Sequence, residues 1–98
     1  MVGFGFWMPH VIGGGIIINC KKMGNYCSAN SGVVVGNKNT KDEIAVIGNN
    51  VVIATGAKII GDVKIGDNVI IAPNSVVVKD VPSNVVVTGI PAYILKQI

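Results

Sequence analysis

Ile47-Gly48-Asn49-Asn50-Val51-Val52-Ile53-Ala54-Thr55-Gly56-Ala57-Lys58-Ile59-Ile60-Gly61-Asp62-Val63-Lys64-Ile65-Gly66-Asp67-Asn68-Val69-Ile70-Ile71-Ala72-Pro73-Asn74-Ser75-Val76-Val77 is the stretch that decides the fold. An aliphatic residue stands at every sixth position: Ile47, Ile53, Ile59, Ile65, Ile71 and Val77. Carried backward, the same beat reaches Lys41, Val35, Ala29, Met23, Ile17 and Val11, and only Lys41 is not apolar. Four places after each beat from Met23 onward comes a smaller residue: Cys27, Val33, Asn39, Ala45, Val51, Ala57, Val63, Val69, Ser75 and Val81. One place after, Gly24, Gly36, Gly48, Ala54, Gly66 and Ala72 recur. Neither a 3.6 nor a 2.0 period keeps this register over so many steps. A hexapeptide period is the mark of a solenoid of short parallel strands, a parallel β-helix.

Six residues make one short strand and one corner. A strand alternates its faces, so few residues per hexad point inward. The large aliphatic residue fills the interior, and the small one fits where the wall bends. Asn25, Ser31-Gly32, Asn49-Asn50, Gly61-Asp62, Asp67-Asn68 and Pro73-Asn74 lie between them. Asn, Asp and Gly accept left-handed backbone at low cost, so these are the turns. Three hexads close a triangular coil of about 18 residues, and coils stack at roughly 4.8 Å. The 98 residues allow about five coils in a single all-β domain, residues 1–98. Strict 18-residue stacking puts Ile53 over Val35 and Ile71 over Ile53.

The ends and one interior segment depart from the beat. Val85-Val86-Val87-Thr88-Gly89-Ile90-Pro91-Ala92 breaks it, and Tyr93 to Ile98 reads as a short tail or helix. The chain opens on Gly3-Phe4-Gly5-Phe6-Trp7-Met8, large apolar residues at a solenoid end that needs a plug or a neighbouring subunit. Between Val35 and Ile47 the segment 36–46 occupies two repeats without obeying their pattern. It carries Lys38, Lys41, Asp42 and Glu43. A charged departure from a regular solenoid reads as a corner loop on the binding face.

Composition excludes several functions. The net charge is +3, and the positive charge is eight scattered lysines with no basic cluster, which argues against nucleic acid. No run approaches 18 apolar residues, so no membrane span is expected. Residues 1–18 have no charge, yet they lack a basic leader and carry Pro9, His10 and three consecutive glycines, which argues against a signal peptide. Cys20 and Cys27 read as free thiols, with Cys27 buried in the small column, as in a reducing, cytoplasmic setting. One histidine cannot supply a three-histidine metal site, so no metal is expected. Thr40, Thr55 and Thr88 do not align into the threonine array of an ice-binding β-helix.

Three segments carry a family resemblance: Ile65-Gly66-Asp67-Asn68-Val69, Ile71 to Pro82, and Gly89-Ile90-Pro91-Ala92. With them the chain, from roughly Gly5 to Ala92, resembles the hexapeptide-repeat acyltransferases, which are left-handed β-helices. It is most similar to serine acetyltransferase-like proteins of polysaccharide biosynthesis. Pro9-His10, the glycines after it and Ile16-Ile17-Ile18-Asn19 resemble their His–Gly–Ile-Val segment. The left hand is implied only by this resemblance, as is the absence of the N-terminal part of full-length members.

The resemblance implies an acetyl-CoA-dependent O-acetyltransferase working as a homotrimer. Moving acetyl from a thioester to an alcohol needs a base on the hydroxyl and donors for the oxyanion. His10 matches the family's catalytic histidine by position, and Asp42 or Glu43 is the candidate to orient its ring. Backbone around Gly36-Asn37, Ala54-Thr55 and Ala72-Pro73 would line the coenzyme A groove, with Lys79 near the phosphates. Serine acetyltransferases proper carry an Asp before the histidine and an Arg-His pair in the loop; here stand Pro9 and, near that place, Glu43-Ile44. The departures point toward a neutral hydroxylated acceptor such as a sugar. The alternatives are serine itself, or a trimeric scaffold without catalysis.

Overall fold

Residues 17–18, 20–36 and 44–98 are described by the structure, a computed structural model. Among the described residues twelve short strands follow one another: β1 (Ile17–Ile18), β2 (Cys20–Met23), β3 (Ser28–Ala29), β4 (Val34–Gly36), β5 (Ala45–Ile47) and β6 (Val52–Ile53), then β7 (Lys58–Ile60), β8 (Lys64–Ile65), β9 (Ile70–Ile71), β10 (Val76–Val77), β11 (Val85–Gly89) and β12 (Ala92–Gln97). Up to β10 they sort by every third strand into three walls, and β11 and β12 both extend the second. The first face is β2-β5-β8, the second β3-β6-β9-β11-β12, and the third β1-β4-β7-β10. All pairings are parallel except β11 with β12. This is a parallel β-helix.

The two sequence columns are its core. Met23, Ala29, Val35, Ile47, Ile53, Ile59, Ile65, Ile71 and Val77 are all buried, as are Cys27, Val33, Ala45, Val51, Ala57, Val63, Val69, Ser75 and Val81. Each buried Val or Ile contributes about 1.5–3 kcal/mol as an upper estimate. The ladders run Met23–Ile47–Ile65–Val81, Ala29–Ile53–Ile71–Val87 and Ile18–Val35–Ile59–Val77.

Ile53 therefore stacks on Ala29, not on Val35 as strict 18-residue stacking requires. From Ile47 to Val77 the coil is 18 residues, as in the Asn49–Asp67 contact, and the last coil shortens to 16, as in the Asp67–Ser83 contact. Across the segment 36–46 it is 24, as in the Asn25–Asn49 contact. The segment adds one hexad at a corner instead of replacing two. An insertion of one whole repeat leaves the six-residue phase intact, so the beat alone hides it. The third ladder also continues to Ile18, one residue later than the beat counted from Val11 places it.

The C-terminus departs from the expected tail or helix. β11 continues the second face in parallel with β9, and β12 folds back on it as an antiparallel edge strand. The reason lies in the residues: Ala92-Tyr93-Ile94-Leu95 offers a strand-forming apolar run, and an unpaired edge of β11 was there to receive it. The expected plug at Phe4–Met8 lies outside the described residues.

Corners explain the glycine column. Asn49 Oδ1 accepts a hydrogen bond from the Asn25 amide (2.8 Å), Asp67 Oδ1 from the Asn49 amide (2.7 Å), and Ser83 Oγ from the Asp67 amide (2.8 Å). Each accepting side chain fills the space where a Cβ on Gly24, Gly48 or Gly66 would stand. The left-handed corner residues are Asn50, Asn68 and Asn84, with Tyr26 taking that place in the first coil instead of Asn25.

Candidate functional site

The corner between the second and third faces is a stack of three four-residue turns: 30–33, 54–57 and 72–75. Each closes through its own backbone bond: Val33 N to Asn30 O (3.4 Å), Ala57 N to Ala54 O (3.1 Å) and Ser75 N to Ala72 O (3.3 Å). Their third residues, Gly32, Gly56 and Asn74, have φ of 78°, 76° and 60°. Positive φ at that position is the type II signature and selects Gly or Asn. The turns are also tied between coils by Gly56 N to Ser31 O and Asn74 N to Thr55 O, both 3.0 Å.

Four of the sequence-chosen groove residues meet at this corner. Ala54 and Ala72 open two stacked turns, and Thr55 and Pro73 are their exposed second residues. Two others lie elsewhere. Gly36 ends β4 at the opposite edge of the third face, where its carbonyl accepts from the Gly61 amide (2.9 Å). Lys79 is exposed just beyond β10 at that same edge. The candidates thus flank the third face on both sides. Its outward rows are Val34–Lys58–Val76 and Gly36–Ile60, half-buried, followed by exposed Val78. His10, Asn37, Asp42 and Glu43 lie outside the described residues.

Lys58 is the residue that sequence reading missed. Its ammonium donates to the carbonyls of Gly56 (2.7 Å) and Gly32 (2.9 Å), joining two of the stacked turns. No pattern in the chain marks it, because it occupies an ordinary outward position. The convergence of two turn carbonyls exists only once the coils are stacked.

Cys27 has no role in this arrangement. It is buried, and its thiol donates to the Gly48 carbonyl (3.2 Å). Burial pushes its pKa up, and the same cause raises that of Cys20. A thiol held protonated and out of solvent is not a nucleophile. Among the described residues no group of His, Cys, Asp and Glu is arranged to hold a metal ion, and no helix is long and apolar enough to cross a membrane.

Known proteins share this architecture. The family described as bacterial transferase hexapeptide (six repeats) matches residues 44–79. A serine acetyltransferase of Synechococcus elongatus is 38% identical over an alignment of 97 residues that covers 96% of this chain and 39% of that protein. The crystal structure of a Brucella abortus serine acetyltransferase in complex with coenzyme A superposes with a TM-score of 0.86 at 33% identity, covering 98% of this chain and 39% of the other. A Neisseria gonorrhoeae serine acetyltransferase in complex with serine gives 0.82 at 33% identity, over 94% and 38%. The chain spans about two fifths of the length of these relatives.

Proposed function

We propose that this chain, a member of the left-handed β-helix hexapeptide-repeat acyltransferase family of the serine acetyltransferase type, is an acetyl-CoA-dependent O-acetyltransferase acting as a homotrimer. The observation that carries this is its likeness, across nearly its whole length, to a serine acetyltransferase that binds coenzyme A. The third face supports it: a strip of half-buried apolar residues bounded by stacked turns suits an extended thioester arm lying along the coils. Gly36, Asn37, Ala54, Thr55, Ala72 and Pro73 would line that strip, and Lys79 would meet the phosphates. The other wall would come from a second subunit.

His10 takes the proton from the acceptor's hydroxyl. The hydroxyl oxygen attacks the thioester carbonyl, the tetrahedral intermediate collapses, and the carbon–sulfur bond breaks. The imidazolium returns its proton to the departing thiolate, so the products are the acetyl ester and free coenzyme A. Asp42 or Glu43, from the same chain or a neighbour, would hold the ring. A neutral imidazole suits this work near pH 7.

The acceptor favoured by the relatives is serine. A neutral sugar hydroxyl is the second reading, favoured by the absence of any arginine from the chain and by Glu43-Ile44 in the loop. Thiol release from acetyl-CoA, measured with serine and with a panel of sugars, tests both. Turnover with one acceptor class is expected, and His10→Ala should lower it by a factor of about 10²–10⁴. No release with any acceptor, or full activity in His10→Ala, would refute the mechanism.

A further inference from the structure

We infer that Lys58 is the positioning residue of the acyl-donor groove and supplies a hydrogen bond to an amide carbonyl of the donor's thioester arm. This rests on the acyltransferase reading above. The Lys58 stem leaves the third face in the row Val34–Lys58–Val76, where it is the single charged residue. Its ammonium turns to the corner and bridges the Gly56 and Gly32 carbonyls at 2.7 and 2.9 Å. Those carbonyls belong to equivalent residues of stacked turns, so their dipoles point alike and repel without a cation between them. The ammonium therefore fixes the turn that presents Ala54 and Thr55.

An ammonium has three donors, and these two bonds use two of them. The third N–H has no protein partner among the described residues. It stands at the edge of the half-buried strip, beside Gly32 and Gly56, the third residues of two stacked turns. A coenzyme A thioester arm carries amide carbonyls along its length and phosphates at its far end. A charge already shared with two carbonyls, at the wall of an apolar strip, suits a neutral carbonyl. Lys79, exposed at the opposite edge, suits a phosphate.

The test compares acetyl-CoA with acetyl-pantetheine, which keeps the amides and lacks the nucleotide. Lys58→Met, which keeps the stem and removes the donors, is expected to raise KM about tenfold for both donors and leave kcat unchanged. Lys58→Arg should restore most of the affinity, whereas Lys79→Ala should weaken acetyl-CoA alone. A lower melting temperature with unchanged KM would reduce Lys58 to a structural staple and overturn the inference. Loss confined to acetyl-CoA would overturn it too, by assigning Lys58 to a phosphate. A wild-type protein that binds neither donor would instead sink the acyltransferase reading, and this inference with it. Should Lys58→Met not fold, the Lys58 side-chain nitrogen resonance of the wild-type protein decides. It should move on titration with acetyl-pantetheine, and a fixed resonance at saturation would overturn the inference.

Discussion

Replacing Gly48 with alanine should cost far more stability than the same change at Gly36, although both stand in one sequence column. A Cβ on Gly48 would lie 2.6 Å from the Gly66 carbonyl oxygen and 2.8 Å from its carbon, and would collide with the Asp67 side chain. The carbonyl is backbone in a stacked coil and cannot yield without opening the first face. Overpacking of this kind costs about 1–3 kcal/mol. Displacing Asp67 also breaks its 2.7 Å bond from the Asn49 amide, another roughly 0.5–1.5 kcal/mol. The stiffer unfolded chain returns about 0.4–1 kcal/mol. The net loss for Gly48→Ala is about 2–3 kcal/mol, a fall in Tm of roughly 10–20 °C for a chain of this size. At Gly36 the nearest atom to a Cβ is the Val34 Cγ1 at 3.9 Å, and φ is not in the left-handed region, so alanine should be neutral or slightly stabilising. Thermal and urea unfolding by circular dichroism, at one fixed protein concentration, measures both variants. If Gly48→Ala and Gly36→Ala unfold together, the glycine column is not a packing requirement and the ladder argument fails.

Ser75 is fully buried and its hydroxyl has no partner among the described residues, so Ser75→Ala should stabilise the fold by about 1 kcal/mol; a loss in urea unfolding would mean the hydroxyl has a partner. The Cys27 thiol has a raised pKa through burial, so the unfolded chain releases that proton first as pH rises. Stability should therefore decline once pH passes the unfolded thiol value of about 8.5, and the decline should flatten in Cys27→Ala; equal slopes in urea midpoints across pH 7–10 would contradict this. The same burial should leave Cys27 unreactive toward a thiol reagent until the chain unfolds, and prompt labelling in the native state would show the interior to be open. A homotrimer should sediment as three chains and gain thermal stability with acetyl-CoA; a monomer that persists at all concentrations would refute the assembly.

Much of the fold was legible because the interior of a narrow prism admits few solutions. Ile47 through Val77 and their smaller companions had to face inward once a six-residue period was granted, and all of them do. Three things stayed hidden for physical reasons. The segment 36–46 adds one repeat unit, so it changes which residues stack without changing the phase. Tyr26 takes left-handed backbone although Asn25 beside it has the better propensity, because the corner geometry is set by the coil below through the Asn49 bond to the Asn25 amide. β12 pairs because β11 offers an edge, a tertiary fact that a local reading of Tyr93–Ile98 does not contain. At the site, Ala54, Thr55, Ala72 and Pro73 share a corner because they are 18 residues apart in undisturbed coils. Lys58 was missed because its partners, Gly32 and Gly56, come together only across the long coil.

The most direct measurement is a coenzyme A titration followed by amide chemical shifts of the isotopically labelled protein. The account predicts shifts along the third face and its two edges: Ala54, Thr55 and Gly56 on one side, Val76 and Val78 in the strip, and Lys79 on the other. Lys22 and Lys64, exposed on the first face, should stay fixed. Shifts centred on the first face, or none at saturating coenzyme A, would contradict the claim that this β-helix is built to hold an acyl donor there.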